Sequence, residues 1–452
     1  MFNRVLIANR GEVAVRVIRT LHELGIEAVV VYSTADEGAL HTRLADRAVC
    51  VGPPVATESY LKIPSIIAAA TTTRCDAVHP GWGFLAENPA FAAACDDNKL
   101  VFIGPSAQTM GRMGDKVDAK REMIAAGVPV VPGTEEPTSI GDAGAAAEET
   151  GYPVLLKAVA GGGGKGMRFV EHPEDLERAY QMAAAEAEAA FGDPGIYIEK
   201  AVVPARHVEI QVLADGQGGV LTLGERDCSI QRRHQKLIEE SPSPAVTPEI
   251  REEMEAAAER ACHAIGYRSA GTFEFLLGPD GSFFFIELNA RLQVEHPVTE
   301  MITGVDLVRE QLRVAAGESL SRTGRAERRG HAIEVRINAE DPSRGFLPMP
   351  GRIERFKPPL GPGVRVDTHI EDGAEVPPYY DSLLGKLIAW DEHRESAIAR
   401  ALRALAETEV RGVPTTIPVA IDILRSEQFA TGRYSTNFLA EVGSQLPALA
   451  ES

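Results

Sequence analysis

Polar side chains occupy every second position in one stretch of the chain, SFFFIELNARLQVEH (residues 282–296). Because successive side chains of a β-strand point to opposite faces of its sheet, an extended conformation would gather these groups on one face. They are Glu287, Asn289, Arg291, Gln293 and Glu295. The stretch is also rich in phenylalanine and is followed by a proline, which stops a strand. We therefore interpret it as the floor of an active site.

A second β-rich run, TFEFLL (272–277), precedes this stretch, and the turn sequence GPDG joins the two into a predicted hairpin. With the proline and aspartate at the turn centre, Glu274 lies opposite Phe285 and diagonal to Glu287, where two carboxylates can share a cation. Carboxylate and amide oxygens suit Mg²⁺ or Mn²⁺, so Glu274, Glu287 and Asn289 form a candidate metal site that leaves room for phosphate oxygens. The alternative is a solvated sheet face with its charges in water.

The segment ERDCSIQRRHQK (225–236) is strongly basic within a chain whose formal net charge is −19. If it is extended, Arg232, His234 and Lys236 share a face, and phosphates or a small oxyanion would fit such a patch. A solvated run of charges is the alternative. Its position directly before the acidic hairpin favours the anion site.

Glycine dominates another segment, GGGGKG (161–166), which lies between the strand around Lys157 and the predicted strand 167–170. The segment matches G-x-G-x-x-G but leads into a strand instead of a helix, and methionine follows it where a Walker A loop requires Lys-Ser/Thr. We predict a mobile flap whose N–H groups cover phosphates, with a plain hairpin tip as the alternative. Lys157 interrupts an apolar run, so it must be paired or face a ligand.

The elements that position these groups begin with a βαβ pattern: strand 4–8, amphipathic helix 12–24 and strand 27–32. A Rossmann dinucleotide-binding domain is the alternative interpretation, but the first turn reads Asn-Arg-Gly-Glu and lacks the glycine fingerprint. After residue 330, a strand places Glu334 and Arg336 opposite Ile333 and Val335, in a mixed α+β region.

Composition limits the function classes. The 452 residues suggest about three domains. The acidic balance argues against a nucleic-acid partner, and no apolar run approaches a membrane span. The chain opens on a strand rather than a signal peptide, so we expect a cytoplasmic protein. The five cysteines lack metal-like spacing and are expected as reduced core residues.

Six motifs together resemble those of the biotin carboxylases, a family of ATP-grasp enzymes: HPGWGFLAEN, MGDK, GGGGKGM, ERDCSIQRRHQK, FIELNARLQVEHPVTE and RINAEDP. The resemblance runs from IANRGE at the start to beyond PPYYDS. It implies a combined α/β and α+β fold with a Rossmann-like, pre-ATP-grasp domain at 1–112. An ATP-grasp domain at 113–320, with a glycine-rich lid at about 132–203, and an α+β C-terminal domain at 330–445 would follow.

The resemblance also implies a role for each matching residue. The implied ATP-binding residues are Lys116, Lys157, Gly163, Gly164, Lys165, Gly166, Glu199, Lys200, His207, His234, Glu274 and Glu287. Two metal ions would lie on Glu274, Glu287 and Asn289. The implied bicarbonate-binding residues are Lys236, Arg291, Gln293, Val294 and Glu295. Among the implied catalytic residues Lys236, Arg291, Glu295 and Arg336, Glu295 would take the proton of bicarbonate and Arg336 would stabilise the biotin enolate. Arg336 and Trp82 would bind biotin.

The reaction implied by the resemblance is the phosphorylation of bicarbonate by ATP with Mg²⁺ or Mn²⁺, giving a carboxyphosphate that releases CO₂ beside biotin. This is the first half-reaction of acetyl-CoA carboxylase, which makes malonyl-CoA for fatty acid synthesis. A propionyl-CoA or other acyl-CoA carboxylase is the alternative. No Ala-Met-Lys-Met biotin-attachment sequence occurs, so we expect a separate biotin carboxyl carrier protein and carboxyltransferase. The resemblance also implies a homodimer, with Arg19 and Glu23 as candidate contacts.

Two departures from the family pattern are Trp82, where tyrosine is frequent, and Lys165, where arginine is frequent. Two rival functions also remain. One is another ATP-grasp ligase, which would join a carboxylate to an amine and would not need the set Arg291, Gln293, Glu295 and Arg336. The other is a non-catalytic ATP-binding protein, against which the intact Glu295 and the intact metal ligands argue.

Overall fold

A five-stranded parallel sheet, in the order β3-β2-β1-β4-β5, forms the N-terminal part of the computed structural model. The structure describes residues 1–134, 136–159 and 167–449. The elements of this part are β1 (Arg4–Ile7), α1 (Gly11–Glu23), β2 (Glu27–Ser33), α2 (Leu40–Leu44), β3 (Arg47–Gly52), α3 (Ile63–Thr72), β4 (Ala77–His79), α4 (Pro89–Asp97), β5 (Val101–Phe102) and α5 (Ala107–Gly114). The predicted Rossmann-like sheet is confirmed.

Strand β1 is buried on both faces, as is typical of a parallel sheet covered by helices. Leu6 packs into one hydrophobic cluster, and Val5 and Ile7 pack into another on the opposite face. At the end of the strand, the Asn9 side-chain amide donates hydrogen bonds to the carbonyls of Pro80 and Trp82, at 2.8 and 2.7 Å. These bonds join the end of β1 to the loop after β4, the place where open α/β sheets form sites.

The central part combines a small sheet with the beginning of a large one. Its elements are α6 (Lys116–Ala125), α7 (Ala143–Thr150), β6 (Val154–Ala158), β7 (Met167–Val170), α8 (Leu176–Phe191), β8 (Ile196–Lys200), β9 (Arg206–Asp215), β10 (Val220–Arg232), β11 (Gln235–Ser241), α9 (Pro248–Ile265), β12 (Arg268–Leu277), β13 (Phe283–Asn289), α10 (His296–Thr303), α11 (Leu307–Ala315) and β14 (Gly324–Arg325). Strands β7-β6-β8 form the small antiparallel sheet, which packs on α7 and α8. The predicted lid residues Gly163, Gly164, Lys165 and Gly166 lie outside the described residues.

The last part continues the large sheet. Its elements are β15 (His331–Asn338), β16 (Glu340–Asp341), β17 (Leu347–Pro348), β18 (Gly351–Arg352), β19 (Arg355–Lys357), β20 (Val364–Thr368), β21 (Glu375–Val376), β22 (Leu383–Asp391), α12 (Arg394–Glu407), β23 (Glu409–Arg411), α13 (Ile417–Arg425), α14 (Glu427–Ala430) and α15 (Phe438–Val442). The large sheet has the order β13-β12-β9-β10-β11-β15-β22-β20, with β14 also paired to β10. One sheet therefore carries both the acidic hairpin and the strand of Arg336.

The hairpin of β12 and β13 forms, but the predicted register is wrong. Glu274 pairs with Glu287, and Phe275 pairs with Phe285, so Ile286 is an extra residue on β13. Such a β-bulge shifts the alternation of faces by one residue. Phe285 and Leu288, an odd and an even position, consequently both pack in the core, whereas Glu287 is exposed to the cavity.

The predicted strand is also too long, because β13 ends at Asn289. The residues from Arg291 to Glu295 form an irregular loop that leads into α10. Their positions are therefore not set by strand alternation. The loop reproduces the polar-apolar alternation of a strand without being extended.

The basic segment is likewise two strands instead of one. Arg233 and His234 have positive φ angles of 47° and 69°, as in the tight turn of a type I′ hairpin. The turn pairs Gln231 with Lys236, and the shared face predicted for Arg232, His234 and Lys236 is wrong.

Glu240, on β11, ties the central strands to the last part of the chain. Its carboxylate accepts hydrogen bonds from His331 at 2.6 Å, from Arg394 at 2.7 and 2.9 Å, and from the Tyr434 hydroxyl at 2.5 Å. Burial favours the protonated form, but the bonds from His331 and Arg394 outweigh it and lower the pKa of Glu240 to about 2. Glu240, His331 and Tyr434 are buried, and Arg394 is partly buried.

No helix in the described ranges is both long and apolar enough to span a membrane. Four cysteines are buried, namely Cys75, Cys95, Cys228 and Cys262, while Cys50 is exposed. All five are free thiols, and the expectation that they are core residues is wrong for Cys50.

We expect Glu240→Gln to lower the free energy of unfolding at neutral pH by about 3–5 kcal/mol, because Arg394 loses its buried counter-charge. The folded pKa lies below the ordinary value of 4.5, so this stabilisation is present above pH 4.5 and is lost as the pH falls towards 2. Urea unfolding across that range checks the difference between the two proteins. The exposed Glu392→Gln variant is the control, with a change within about 0.5 kcal/mol. An equal loss at all pH values would contradict the assignment.

Cys50 is expected to be the one thiol that reacts quickly with a disulfide reagent in the folded protein. The thiolate is the reactive form, and burial raises the pKa of the other four thiols, for Cys95 to about 12. The number of thiols that react quickly with the disulfide reagent, counted with and without denaturant, measures this. The fast phase should disappear in Cys50→Ser, and rapid labelling of Cys228 in the folded state would refute the prediction.

Candidate active site

A cavity of about 980 Å³ lies between the N-terminal sheet, the small sheet and the large sheet. Within the described ranges it is lined by nearly all residues that the sequence singled out. These are Trp82, Lys116, Lys157, Glu199, His207, His234, Lys236, Glu274, Glu287, Asn289, Arg291, Gln293, Val294, Glu295 and Arg336. The structure therefore brings together residues from distant parts of the chain.

Lys200 does not line this cavity with its side chain. Its ammonium group donates hydrogen bonds to the carbonyls of Gly151 and Tyr152, at 2.7 and 2.9 Å. These bonds join the end of β8 to the chain entering β6. An ATP contact by Lys200 would therefore have to come from its backbone.

Glu295 is the fully buried centre of one end of the cavity. One carboxylate oxygen lies 2.5 Å from the Lys236 ammonium, and the other lies 2.9 Å from the Arg336 guanidinium. Burial raises the pKa of Glu295, but the charges of Lys236 and Arg336 outweigh burial and hold it well below its ordinary value. The carboxylate is therefore ionised and can accept a proton only from a group that displaces one of these partners.

Lys236 contacts three carboxylates, because Glu209 lies 2.7 Å and Glu274 3.2 Å from its ammonium. Glu209 in turn accepts a hydrogen bond from Arg226 at 2.5 Å. Burial opposes the charge on Lys236, yet the surrounding acids raise its pKa well above the usual range. Sequence reasoning missed Glu209 and Arg226. The signal for Glu209 is its spacing of two residues from His207 on the same strand.

Arg336 also holds Glu239 on the neighbouring strand, with Nε 2.6 Å from its carboxylate. Burial raises the pKa of Glu239 to about 7, against the opposing charge of Arg336. The guanidinium is fixed on both sides by carboxylates, which leaves it oriented before any ligand arrives.

The paired carboxylates of Glu274 and Glu287 lie on the hairpin. Glu274 accepts hydrogen bonds from Asn289 at 2.8 Å and from Gln293 at 3.0 Å, and His207 lies 2.9 Å away. Burial opposes ionisation, but Lys236 and His207 lower the pKa of Glu274. Burial and then the charge of Glu274 raise the pKa of Glu287. A bound cation would relieve this repulsion.

The donor set tests whether a divalent ion fits. Glu274, Glu287 and Asn289 supply only oxygen ligands from the protein, as Mg²⁺ and Mn²⁺ prefer. A different cluster, His207 with Glu209 and Glu274, also brings possible ligand atoms within 4.8 Å of one another. The Lys236 ammonium already supplies the cation for that cluster. Glu274 belongs to both sets, so the metal site on the hairpin stays a prediction that rests on its oxygen ligands.

Arg291 is held at the edge of the loop by Glu87. Its Nε lies 2.7 Å from one oxygen of Glu87, while the other oxygen accepts a hydrogen bond from the Ala290 amide at 2.8 Å. A further bond of 2.8 Å runs from Arg291 to the side-chain oxygen of Asn289. Glu87 belongs to the motif HPGWGFLAEN, and the structure gives this motif residue a role in positioning the loop.

The far end of the cavity combines cations with apolar walls. Lys157 lies 2.5 Å and Lys120 3.6 Å from the carboxylate of Glu199. The apolar wall is formed by side chains from α6, both sheets and the segment before α7, namely Ile124, Val130, Leu155, Met167, Leu276 and Ile286. A flat heterocycle suits such a wall, and the lysines beside it suit the phosphates of a nucleotide. Lysines beside metal-type carboxylates are the equipment of phosphoryl transfer.

Three family models match the chain. Biotin carboxylase, N-terminal domain, matches residues 1–110; carbamoyl-phosphate synthase L chain, ATP binding domain, matches 115–323; and biotin carboxylase C-terminal domain matches 334–441.

Full-length relatives agree with these matches. A biotin carboxylase of Nostoc sp. is 53% identical, covering 98% of this chain and 99% of its own. A biotin carboxylase of Bacillus subtilis is 51% identical, covering 97% of this chain and 98% of its own.

Solved structures agree as well. A crystal structure of the biotin carboxylase domain dimer of the Hydrogenobacter thermophilus 2-oxoglutarate carboxylase, with MgADP, ADP and bicarbonate, superposes with a TM-score of 0.92. It is 46% identical and covers 100% of this chain and 99% of its own. The biotin carboxylase component of a pyruvate carboxylase superposes with a TM-score of 0.88, is 46% identical and covers 100% of both chains. The chain belongs to the biotin carboxylase family.

Proposed function

We propose that this protein is an ATP-dependent biotin carboxylase that forms carboxybiotin from bicarbonate, with ADP and phosphate as the other products. The observation that carries the proposal is the ionised Glu295 between Lys236 and Arg336, at one end of a cavity whose other end suits a nucleotide. The relatives' names and the bound ligands of the 2-oxoglutarate carboxylase domain support it.

ATP would bind along the apolar wall, with its phosphates near Lys116 and Lys157 and with His207 and His234 beside it. The lid residues 163–166 would cover the phosphates. A divalent cation on Glu274, Glu287 and Asn289 would neutralise the charge of the transferred phosphoryl group. Lys200 would contribute through its backbone, because its ammonium is engaged with carbonyls.

Bicarbonate would bind where Lys236, Arg291, Gln293 and the backbone of Val294 converge. Its entry displaces a partner of Glu295, which then accepts the proton of bicarbonate as general base. The resulting oxyanion would attack the terminal phosphorus of ATP, the bond to ADP would break and carboxyphosphate would form. Carboxyphosphate would then break down to phosphate and CO₂, which biotin takes up. Lys236, a buried cation held in place by carboxylates, would stabilise the negative charge that develops in this step.

Biotin would lie between Arg336 and Trp82. The ureido nitrogen is scarcely acidic, so its deprotonation needs a fixed positive charge near the ureido oxygen. Arg336 supplies that charge from an orientation set by Glu239 and Glu295.

The domain assignment follows the same proposal: residues 1–112 and 330–445 flank an ATP-grasp domain at 113–320 with its lid at about 132–203. The biotin would be attached to a separate carrier protein, and a carboxyltransferase would use the carboxybiotin. The reaction would take place in the cytoplasm.

A homodimer through α1 is consistent with the exposure of Arg19 and Glu23. Glu23 also lies 3.0 Å from Arg309 of the same chain.

We propose acetyl-CoA as the final acceptor of the carboxyl group. The product would then be malonyl-CoA, which serves fatty acid synthesis. Propionyl-CoA or another acyl-CoA is the second candidate, and two of the similar solved structures belong to a pyruvate and a 2-oxoglutarate carboxylase. The carrier and carboxyltransferase that co-purify with this chain would distinguish these acceptors.

ATP hydrolysis by the purified protein should depend on bicarbonate and should be stimulated by free biotin. Neither a carboxylate–amine ligase nor a non-catalytic ATP-binding protein predicts this stimulation. Release of phosphate with bicarbonate and biotin each present or omitted measures it. Hydrolysis that ignores both compounds would refute the proposed function.

Glu295→Gln should lower kcat for biotin carboxylation by about 10²–10⁴ because the general base is lost. Arg336→Gln should lower it by about 10²–10³ because the enolate loses its counter-charge. ATP should still bind both variants, which equilibrium binding measures. Carboxylation retained in either variant would contradict the role assigned to the replaced residue. Glu255→Gln, on α9, is the control for loss of activity through a general loss of structure.

A further inference from the structure

Trp82 separates two cavities. Its side chain lines the 980 Å³ cavity of the active site and also a smaller one of about 210 Å³ behind it. Part of the indole packs against the hydrophobic cluster around α1, and the rest borders the two cavities. The indole N–H donates a hydrogen bond of 3.0 Å to Glu12, at the start of α1. Glu12 therefore decides how the ring faces the active site.

The second oxygen of Glu12 lies 3.2 Å from the ammonium of Lys386, on β22. Lys386 is fully buried and donates a hydrogen bond of 2.7 Å to the carbonyl of Val294. Val294 directly precedes Glu295 in the loop that leaves the hairpin. A continuous path thus runs from the indole through Glu12 and Lys386 to the loop of the general base.

The charges on this path are compatible with their burial. Glu12 is 3% exposed, and burial raises its pKa while Lys386 opposes that shift. Burial disfavours the charged form of Lys386, but Glu12, Glu334 and Asp367 outweigh it and raise its pKa. An ion pair this deep is a weak source of stability compared with apolar packing. The pair lies between Trp82, on the proposed biotin side, and Val294, on the proposed bicarbonate side, which favours a role in positioning both.

We propose that Glu12 and Lys386 are positioning residues for biotin carboxylation, an inference that rests on the proposed function. Glu12 fixes the indole of Trp82 as a wall for biotin, and Lys386 fixes the carbonyl of Val294 and with it the loop of Glu295. The two reacting partners are thereby held in register, and a displacement of about 1 Å in such a site can cost a hundredfold in rate. The family often has tyrosine at position 82, and a tyrosine hydroxyl can donate or accept a hydrogen bond. The Trp82 indole can only donate, so it needs one oxygen of Glu12 as its acceptor.

A double-mutant cycle on the full-length protein tests the role of Glu12. Glu12→Leu should raise KM for free biotin about tenfold, which corresponds to about 1.4 kcal/mol, with KM for ATP little changed. Glu12→Gln keeps an acceptor for the indole and should restore KM for biotin to within about threefold of the wild type. In Trp82→Phe, which lacks the N–H, adding Glu12→Leu should cause less than about a twofold further change.

Lys386→Met should instead raise KM for bicarbonate about tenfold in the ATP hydrolysis assay, because the Val294 carbonyl loses its donor. The control is Glu255→Gln. Glu255 forms another buried ion pair, with Arg328 at 2.6 Å, and its replacement should leave the KM values for biotin and for bicarbonate unchanged. The sequence has two tryptophans, so ¹⁵N-labelled indole resonances, assigned with Trp390→Phe, report Trp82 directly. That resonance should move in Glu12→Leu and much less in Glu12→Gln.

Equal losses from Glu12→Leu in the wild-type and Trp82→Phe backgrounds would overturn the inference, since a purely structural role predicts them. An unchanged biotin KM in Glu12→Leu, with an active wild type, would also overturn it and leave the proposed function standing. Absence of biotin-stimulated hydrolysis in the wild type would overturn the proposed function, and this inference with it.

Discussion

The carboxylate of Glu295 between the ammonium of Lys236 and the guanidinium of Arg336 is the interaction on which the site depends. At so buried a position a lone carboxylate would be protonated, and two lone cations would repel each other. Together they remain charged and fixed. The same arrangement supplies the proposed base, a contact for the oxyanion and a counter-charge for the enolate.

This triad depends on the large sheet. Lys236 and Arg336 lie on adjacent antiparallel strands, β11 and β15, and Glu295 follows the edge strand β13 through a short loop. Further carboxylates, Glu209 and Glu239, stand beside the cations and balance their charge. A buried network of this kind is stable only when every member has a partner. The proposed reaction would therefore exchange partners within the network instead of creating new charges.

The N-terminal sheet contributes from the other side of the cavity. Asn9 ties the end of β1 to the loop that carries Trp82, and Glu87 in the following turn holds Arg291. The turn after β1, where a Rossmann domain would hold its dinucleotide, carries Asn9 and Glu12 here, and both side chains bond to Trp82. The parallel sheet therefore positions one wall of the candidate active site and not a dinucleotide.

Sequence alone determined the elements with strong local signals and the chemistry of the site. The βαβ start, the GPDG hairpin and the strand at 167–170 follow from hydrophobic period and turn residues, which act over a few positions. The polar residues around Glu295 were identified by type, and the structure brings them together in one cavity.

Tertiary structure decided what local signals cannot encode. The bulge at Ile286 and the turn at Arg233 change which face a side chain occupies, and neither has a glycine to mark it. The partners Glu209, Glu12 and Lys386 are distant in sequence from the groups they hold, so their roles appear only when the strands are adjacent. Side-chain type fixes what a residue can do, whereas the charge it bears and the atom it meets depend on contacts between remote segments.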